Sequence, residues 1–167
     1  MEAIKSNIKS FMGIGFRPVY LAVAIEDSKI FGVTVTSLVS TSARDGSEEV
    51  AFVLRNTSSF IRKIQELSAF SIYLLGVDQL ELALECSRLD KRDDVIKKFF
   101  HLDKVSKNLR LRNYCGLLDL RIRSLNVRGD NFLVLASVES TLINNNLPST
   151  APLMYGFGKF QEEQRNK

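Results

Sequence analysis

The chain has 167 residues, 45% of them hydrophobic and 25% charged, with a formal net charge of +4. That is enough chain for a single domain, read as residues 1–167, with a sizeable core and ordinary globular composition. No apolar run approaches the roughly 20 residues of a membrane span, so no membrane partner is expected.

A single histidine, His101, and two cysteines, Cys86 and Cys115, leave no material for a zinc site or a Ser-His-Asp triad. The cysteines lack metal-type spacing and read as buried, reduced thiols in a cytoplasmic protein. The first 16 residues carry lysines but no compact apolar run with a cleavage site, so no signal peptide is expected. No stripe of interleaved basic and aromatic residues points to nucleic acid. The positive charge also suits an anionic, phosphate-bearing ligand.

Residues 1–16 place Ile4, Ile8, Phe11 and Met12 on one helical face, ended by Gly13 and Gly15. Pro18–Glu26 is an apolar, β-rich strand, and Asp27-Ser28-Lys29 turns it into the next. That next stretch, Phe31–Ser42 (FGVTVTSLVSTS), reads as one strand on which Thr34, Thr36, Ser37, Ser40, Thr41 and Ser42 align hydroxyls. Such a row could hold a planar polar ligand edge-on, or could simply be a half-exposed strand whose hydroxyls meet water. Alternation places Val33, Val35 and Ser37 on one face, and Thr34 and Thr36 on the other. Ala43–Glu49 is a polar loop turning at Asp45-Gly46, and Val50–Leu54 is a short strand buried on both faces.

Arg55–Leu67 brings Phe60, Ile61, Ile64 and Leu67 to one helical face, with Arg62, Lys63 and Glu66 opposite. Thr57 or Ser58 can cap this helix. Hydroxyls at Thr57, Ser58 and Ser59, free backbone N–H groups and the neighbouring Arg55 could form a phosphate cradle or an ordinary cap. A strand at Phe70–Leu75 follows, then helices at Asp78–Cys86 (Leu80, Ala83 and Leu84 inward) and Lys91–Phe100. Residues 101–113 read as a basic loop, with His101 at a helix end. Tyr114–Asn126 and Asn131–Ser140 form a long hairpin about Arg128-Gly129-Asp130. Leu142–Pro148 is a loop, Met154–Phe160 a closing strand, and residues 161–167 a frayed tail. About seven strands with helices inserted, and no Gly-rich dinucleotide fingerprint, predict a mainly β fold, an antiparallel barrel with helical decorations.

The order of these pieces resembles the flavin reductase family over roughly residues 15–161. Gly32, Thr34, Thr36, Ser37, Leu38, Ser40 and Ser42 match the family's hydroxyl-rich strand in register. Thr57 and Ser59 match its Ser-x-Thr pair at a helix start, and Leu75, Asp78 and Gln79 its L-x-x-D-Q segment. Gly129-Asp130 matches its hairpin turn, and Pro152, Leu153, Met154, Tyr155, Gly158, Lys159 and Phe160 its closing segment. Three positions depart: Asn131 replaces a histidine placed beside the nicotinamide, Arg44-Asp45-Gly46 replaces an Asp-Pro-Pro loop, and Ala136 replaces a glycine.

The resemblance implies an antiparallel, Greek-key split β-barrel of the FMN-binding type, working as a homodimer. It implies hydride transfer from NADH or NADPH to FMN or FAD, with reduced flavin supplied to a partner oxygenase. Thr34, Val35, Thr36, Ser37, Leu38, Ser40 and Ser42 would line the isoalloxazine; Arg55, Thr57, Ser58 and Ser59 would hold the phosphate; and Asn131 would stand on the nicotinamide side. Two other outcomes stay open: a protein that keeps its FMN bound and reduces another acceptor, and a flavin-binding module without reductase activity.

Overall fold

The computed structural model describes residues 11, 14–42, 48–88, 90–103, 109–144 and 151–161. The helix expected over 1–16, the Asp45-Gly46 turn, most of the 142–148 loop and the charged tail lie largely or wholly outside them.

The main body is a seven-stranded antiparallel sheet in the order β3-β2-β6-β9-β10-β5-β4. Its strands are β2 (Tyr20–Glu26), β3 (Lys29–Val35), β4 (Val39–Ser42), β5 (Glu49–Arg55), β6 (Ala69–Leu74), β9 (Gly116–Arg128) and β10 (Asn131–Ile143). The mainly β, antiparallel reading with inserted helices is borne out, but the hydrogen-bonded sheet is not closed: β3 and β4 are its two ends. Both predicted hairpins form. Asp27 and Ser28 both take positive φ (47° and 63°), the twist-matched two-residue turn between Glu26 and Lys29. Gly129, with φ 58°, turns β9 into β10.

One side of the sheet buries Ala22, Val35, Phe52, Phe70, Ile72, Leu120 and Val134 under the first helix, α1 (Ser59–Leu67). Phe60, Ile61 and Ile64 form its buried face, as their spacing predicts. The helix stops where Ser68 enters the left-handed region and its N–H returns to the Ile64 carbonyl at 2.9 Å. The other side buries Leu21, Tyr73, Leu75, Leu117 and Leu153. Helices α2 (Leu80–Ser87) and α3 (Asp93–Lys97) pack there, with the small hairpin of β7 (Phe100–Leu102) and β8 (Leu109–Leu111).

Five local readings need correcting. The Phe31–Ser42 stretch is two strands, because the chain bends at Thr36–Leu38 and sends β3 and β4 to opposite ends of the sheet order. The Asp78–Cys86 helix opens as a 3-10 turn at Val77–Gln79, and α2 buries Leu82, Ala83, Glu85 and Cys86 while Leu84 stays exposed. Glu85 shifts the buried stripe: its buried carboxylate accepts bonds from the Arg92 backbone and guanidinium and ties α2 to α3. The helix expected over Lys91–Phe100 covers only Asp93–Lys97, and the 101–113 loop contains the β7–β8 hairpin, with His101 exposed on β7. The closing strand is also a hairpin, β11 (Met154–Gly156) and β12 (Lys159–Gln161), turned by Phe157 and Gly158 at positive φ. It pairs with β1 (Arg17–Pro18).

Two of the motif residues singled out in the sequence are structural pins. Leu75 exchanges backbone bonds with Val19 and Leu153, which docks the C-terminal hairpin against the sheet. Buried Gln79 accepts from Gly76 N–H at 3.0 Å and donates to the Arg112 carbonyl at 2.7 Å. Both its amide groups are thereby satisfied inside the protein.

Candidate functional site

The open seam of the sheet carries a cleft. β4 pairs with β5 only at Glu49–Ala51. Past that point the β5 edge faces the free edge of β3 without a ladder between them. A cavity of about 450 Å³ occupies this gap, lined by Val33 and Thr34 from β3, Val53–Arg55 from β5, and Thr57–Ser59 and Arg62 at the start of α1. The end of α2 and the segment after it close the far wall with Cys86, Ser87, Arg88 and Lys91. A second cavity of about 660 Å³ shares Thr34 and Ser87 with the first. Its other walls are Thr36, Leu80 and Leu84, with Tyr155, Gly158, Lys159 and Phe160 of the C-terminal hairpin.

The two cavities differ in chemistry. The first presents four cationic side chains and five hydroxyls, and no carboxylate among the described residues lines it. Arg55 and Arg62 form no ion pair with another described residue. Ser58, the N-cap of α1, has extended backbone (φ −67°, ψ 127°) but does not bond back to the helix. Its hydroxyl oxygen is buried without a hydrogen-bond partner among the described residues. A buried hydroxyl left unpaired at a helix N-terminus among cations is what a bound oxyanion would satisfy. The second cavity is an aromatic and aliphatic slot in which Tyr155 and Phe160 meet edge to face with centroids 5.2 Å apart. Together they can take a flat ring carrying a phosphate tail.

Two hydrogen bonds fix the width of the cleft where β3 meets α2. Thr34 Oγ1 donates to the Ala83 carbonyl at 2.7 Å, and Lys91 Nζ donates to the Gly32 carbonyl at 2.6 Å. Burial holds the Lys91 ammonium below the ordinary lysine range. Burial also pushes the Cys86 thiol beside it up to about 12, so it is a neutral wall group and no nucleophile at physiological pH.

Of the residues picked out in the sequence, Thr34, Arg55, Thr57, Ser58 and Ser59 line the first cavity and Thr36 the second. Asn131 sits opposite Arg55 in the β10–β5 register, one strand behind the cleft edge. Val35 points into the core, 2% exposed. Ser37 accepts the Val53 N–H at 3.0 Å across the seam. Leu38 packs on the α1-side core, while Ser40 and Ser42 belong to β4, against Val50 and Glu49. Arg62, Arg88 and Lys91 were not among the candidates. Arg62 follows Ser58 by one helical turn, a spacing that places it above the hydroxyls. Arg88 and Lys91 are joined to the site only by the packing of α2 on β3.

The comparisons with known proteins agree with this architecture. The family model described as "Flavin reductase like domain" matches residues 12–164. No curated protein sequence matches the chain. Among solved structures, the fold is similar to BorF, the flavin reductase component of a bacterial two-component tryptophan halogenase (TM-score 0.79, 13% identity, 94% of this chain and 96% of that one). It is similar to the Streptomyces globisporus NADH:FAD oxidoreductase SgcE6 solved with NAD and FAD fragments (TM-score 0.80, 16% identity, 99% and 96%). It is also similar to a nitrilotriacetate monooxygenase component B from Mycobacterium thermoresistibile (TM-score 0.81, 16% identity, 100% and 92%).

Proposed function

The chain belongs to the flavin reductase like family, and on that premise we propose that it is an NAD(P)H-dependent flavin oxidoreductase that reduces FMN or FAD and passes the reduced flavin to a partner oxygenase. The observation that carries this reading is the seam cleft, whose cationic, hydroxyl-rich end holds the unpartnered Ser58 oxygen and opens on an aromatic slot. The donor set fits a flavin phosphate. Thr57, Ser58, Ser59 and Arg55 would hold it, using hydroxyls, the α1 terminus and a guanidinium. Thr34 and Thr36 would face the ring, with Tyr155 and Phe160 excluding water from it.

A bound flavin supplies the hydride-accepting chemistry itself, so the protein needs neither a metal nor a catalytic triad. The task left to the chain is to fix two rings against each other. The Thr34–Ala83 and Lys91–Gly32 bonds keep that wall rigid. Asn131, behind Arg55, is the candidate for the nicotinamide side, since its amide can both donate and accept to a carboxamide. Ser37 and Leu38 of the bend, and Ser40 and Ser42 of β4, would border the ring.

The same reading takes residues 1–167 as one domain of a cytoplasmic homodimer. Exposed Val39 and Val53 beside the seam, and exposed Phe16 and Phe157 stacked edge to face, offer apolar surface for a second copy. Cys86 is a buried thiol outside any disulfide, which suits a reducing compartment.

Anaerobic mixing with excess flavin and NADH or NADPH, followed by flavin absorbance, tests the proposal. Bleaching of many equivalents supports it. Bleaching of one equivalent identifies a protein that keeps its FMN, and no bleaching identifies a binding module.

A further inference from the structure

The cations of the cleft lie on two walls. Arg55 and Arg62 stand with the α1 terminus on one side, and Arg88 and Lys91 with Ser87 on the other. A single phosphomonoester is already met by the first wall, where Thr57, Ser58, Ser59 and Arg55 converge. The second wall adds a guanidinium, an ammonium and a hydroxyl that such a group does not use. Lys91 donates one N–H to the Gly32 carbonyl at 2.6 Å and has two more to offer. Arg88 is held from outside the cavity by Asp90, at 3.1 and 3.2 Å, and both side chains remain mostly exposed.

Resting on the proposed function, we infer that Arg88 and Lys91 form a second phosphate subsite that selects a flavin dinucleotide, with its pyrophosphate, over a flavin mononucleotide. A pyrophosphate spreads its charge over two phosphorus centres, so it is matched by charges on both walls. A monophosphate is served by one. Asp90 acts against the subsite, because it competes with the ligand for the Arg88 guanidinium.

The test is a pair of fluorescence titrations, FMN and FAD, on wild type, Arg88→Ala, Lys91→Met and Asp90→Asn. Arg88→Ala is expected to weaken FAD by about tenfold or more, the size of one lost charge-assisted bond, and to change FMN by less than about twofold; Lys91→Met, which also gives up the Gly32 bond, is expected to weaken FAD by about tenfold more than it weakens FMN. Asp90→Asn is expected to tighten FAD and leave FMN alone. Thermal unfolding checks that the Lys91 variant keeps its fold, and the ratio of its FAD to FMN losses is the readout. Equal losses for both flavins would overturn the inference and leave the proposed function standing. So would unchanged FAD affinity combined with a raised KM for NADPH, which would assign the second wall to the nicotinamide nucleotide's phosphate. Failure of the wild type to bind either flavin would overturn both.

Discussion

Replacing Gly32 with alanine would put a Cβ 3.0 Å from Cys86 Sγ and 3.5 Å from Leu21 Cδ1. Gly-to-Ala in a strand ordinarily gains roughly 0.5–1 kcal/mol by restricting the unfolded chain. Here the contact with a buried sulfur on the docked helix opposes that gain, and overpacking of this kind costs about 1–3 kcal/mol. The clash wins. A net loss of about 1–2 kcal/mol is expected, a fall of about 2–8 °C in Tm for a chain of this size. The strain falls where β3 meets α2, so it also loosens the Thr34–Ala83 and Lys91–Gly32 bonds that set the cleft's width. Flavin affinity should therefore fall with stability. Cys86→Ala alone removes buried atoms, at a cost of about 1–2 kcal/mol. Combined with Gly32→Ala, it makes room for the new Cβ. The double variant should be more stable than the sum of the singles by about 1 kcal/mol or more, and should regain flavin binding. Thermal and urea unfolding of the four proteins in a double-mutant cycle supply the numbers. Additive losses, or a Gly32→Ala protein as stable as wild type, would refute the packing argument.

Asp119 is half-buried. Burial pushes its carboxyl up, but bonds from Ser71 (2.7 Å) and Ser140 (2.8 Å) and the Arg110 guanidinium outweigh this and hold it below the ordinary Asp range. Its contribution to stability is therefore present above the unfolded-state value of about 3.9 and lost as pH falls through the lower folded value. Asp119→Asn should cost roughly 1–2 kcal/mol at pH 7 and flatten the acid limb of a stability profile below about pH 4. With its thiol pushed up to about 12, Cys86 should stay unreactive to a thiol-specific disulfide reagent at pH 7–8 until the protein unfolds. Sedimentation equilibrium should give twice the chain mass, and charges placed at Val39 and Val53 should shift it toward the monomer.

Elements whose pattern is local were legible in the sequence. The Asp27-Ser28 and Gly129 turns, the buried face of α1 and the hairpin of β9 and β10 follow from turn chemistry and periodicity. The misreadings have tertiary causes. Nothing in FGVTVTSLVSTS marks the bend at Thr36–Leu38, because every residue there is an acceptable strand former and the break comes from the sheet curling back on itself. The buried stripe of α2 includes Glu85, a residue that hydropathy places outside, and it goes inside because Arg92 meets it. In the candidate site, Thr57–Ser59 and Arg55, next to one another in sequence, could be grouped from the sequence alone, and they line one cavity. The far wall was not, since Arg88 and Lys91 come to Thr34 only when α2 docks on β3.

The seam cleft is proposed to bind a flavin by its phosphate end as well as its ring. Titrating riboflavin, FMN and FAD against wild type and a Thr57→Ala/Ser59→Ala double variant tests it most directly. Wild type is expected to bind the phosphorylated flavins about tenfold or more tighter than riboflavin, and the double variant to lose about tenfold or more for those ligands while its riboflavin affinity is unchanged. Equal wild-type affinities for riboflavin and FMN, or an unaltered FMN affinity in the double variant, would contradict it.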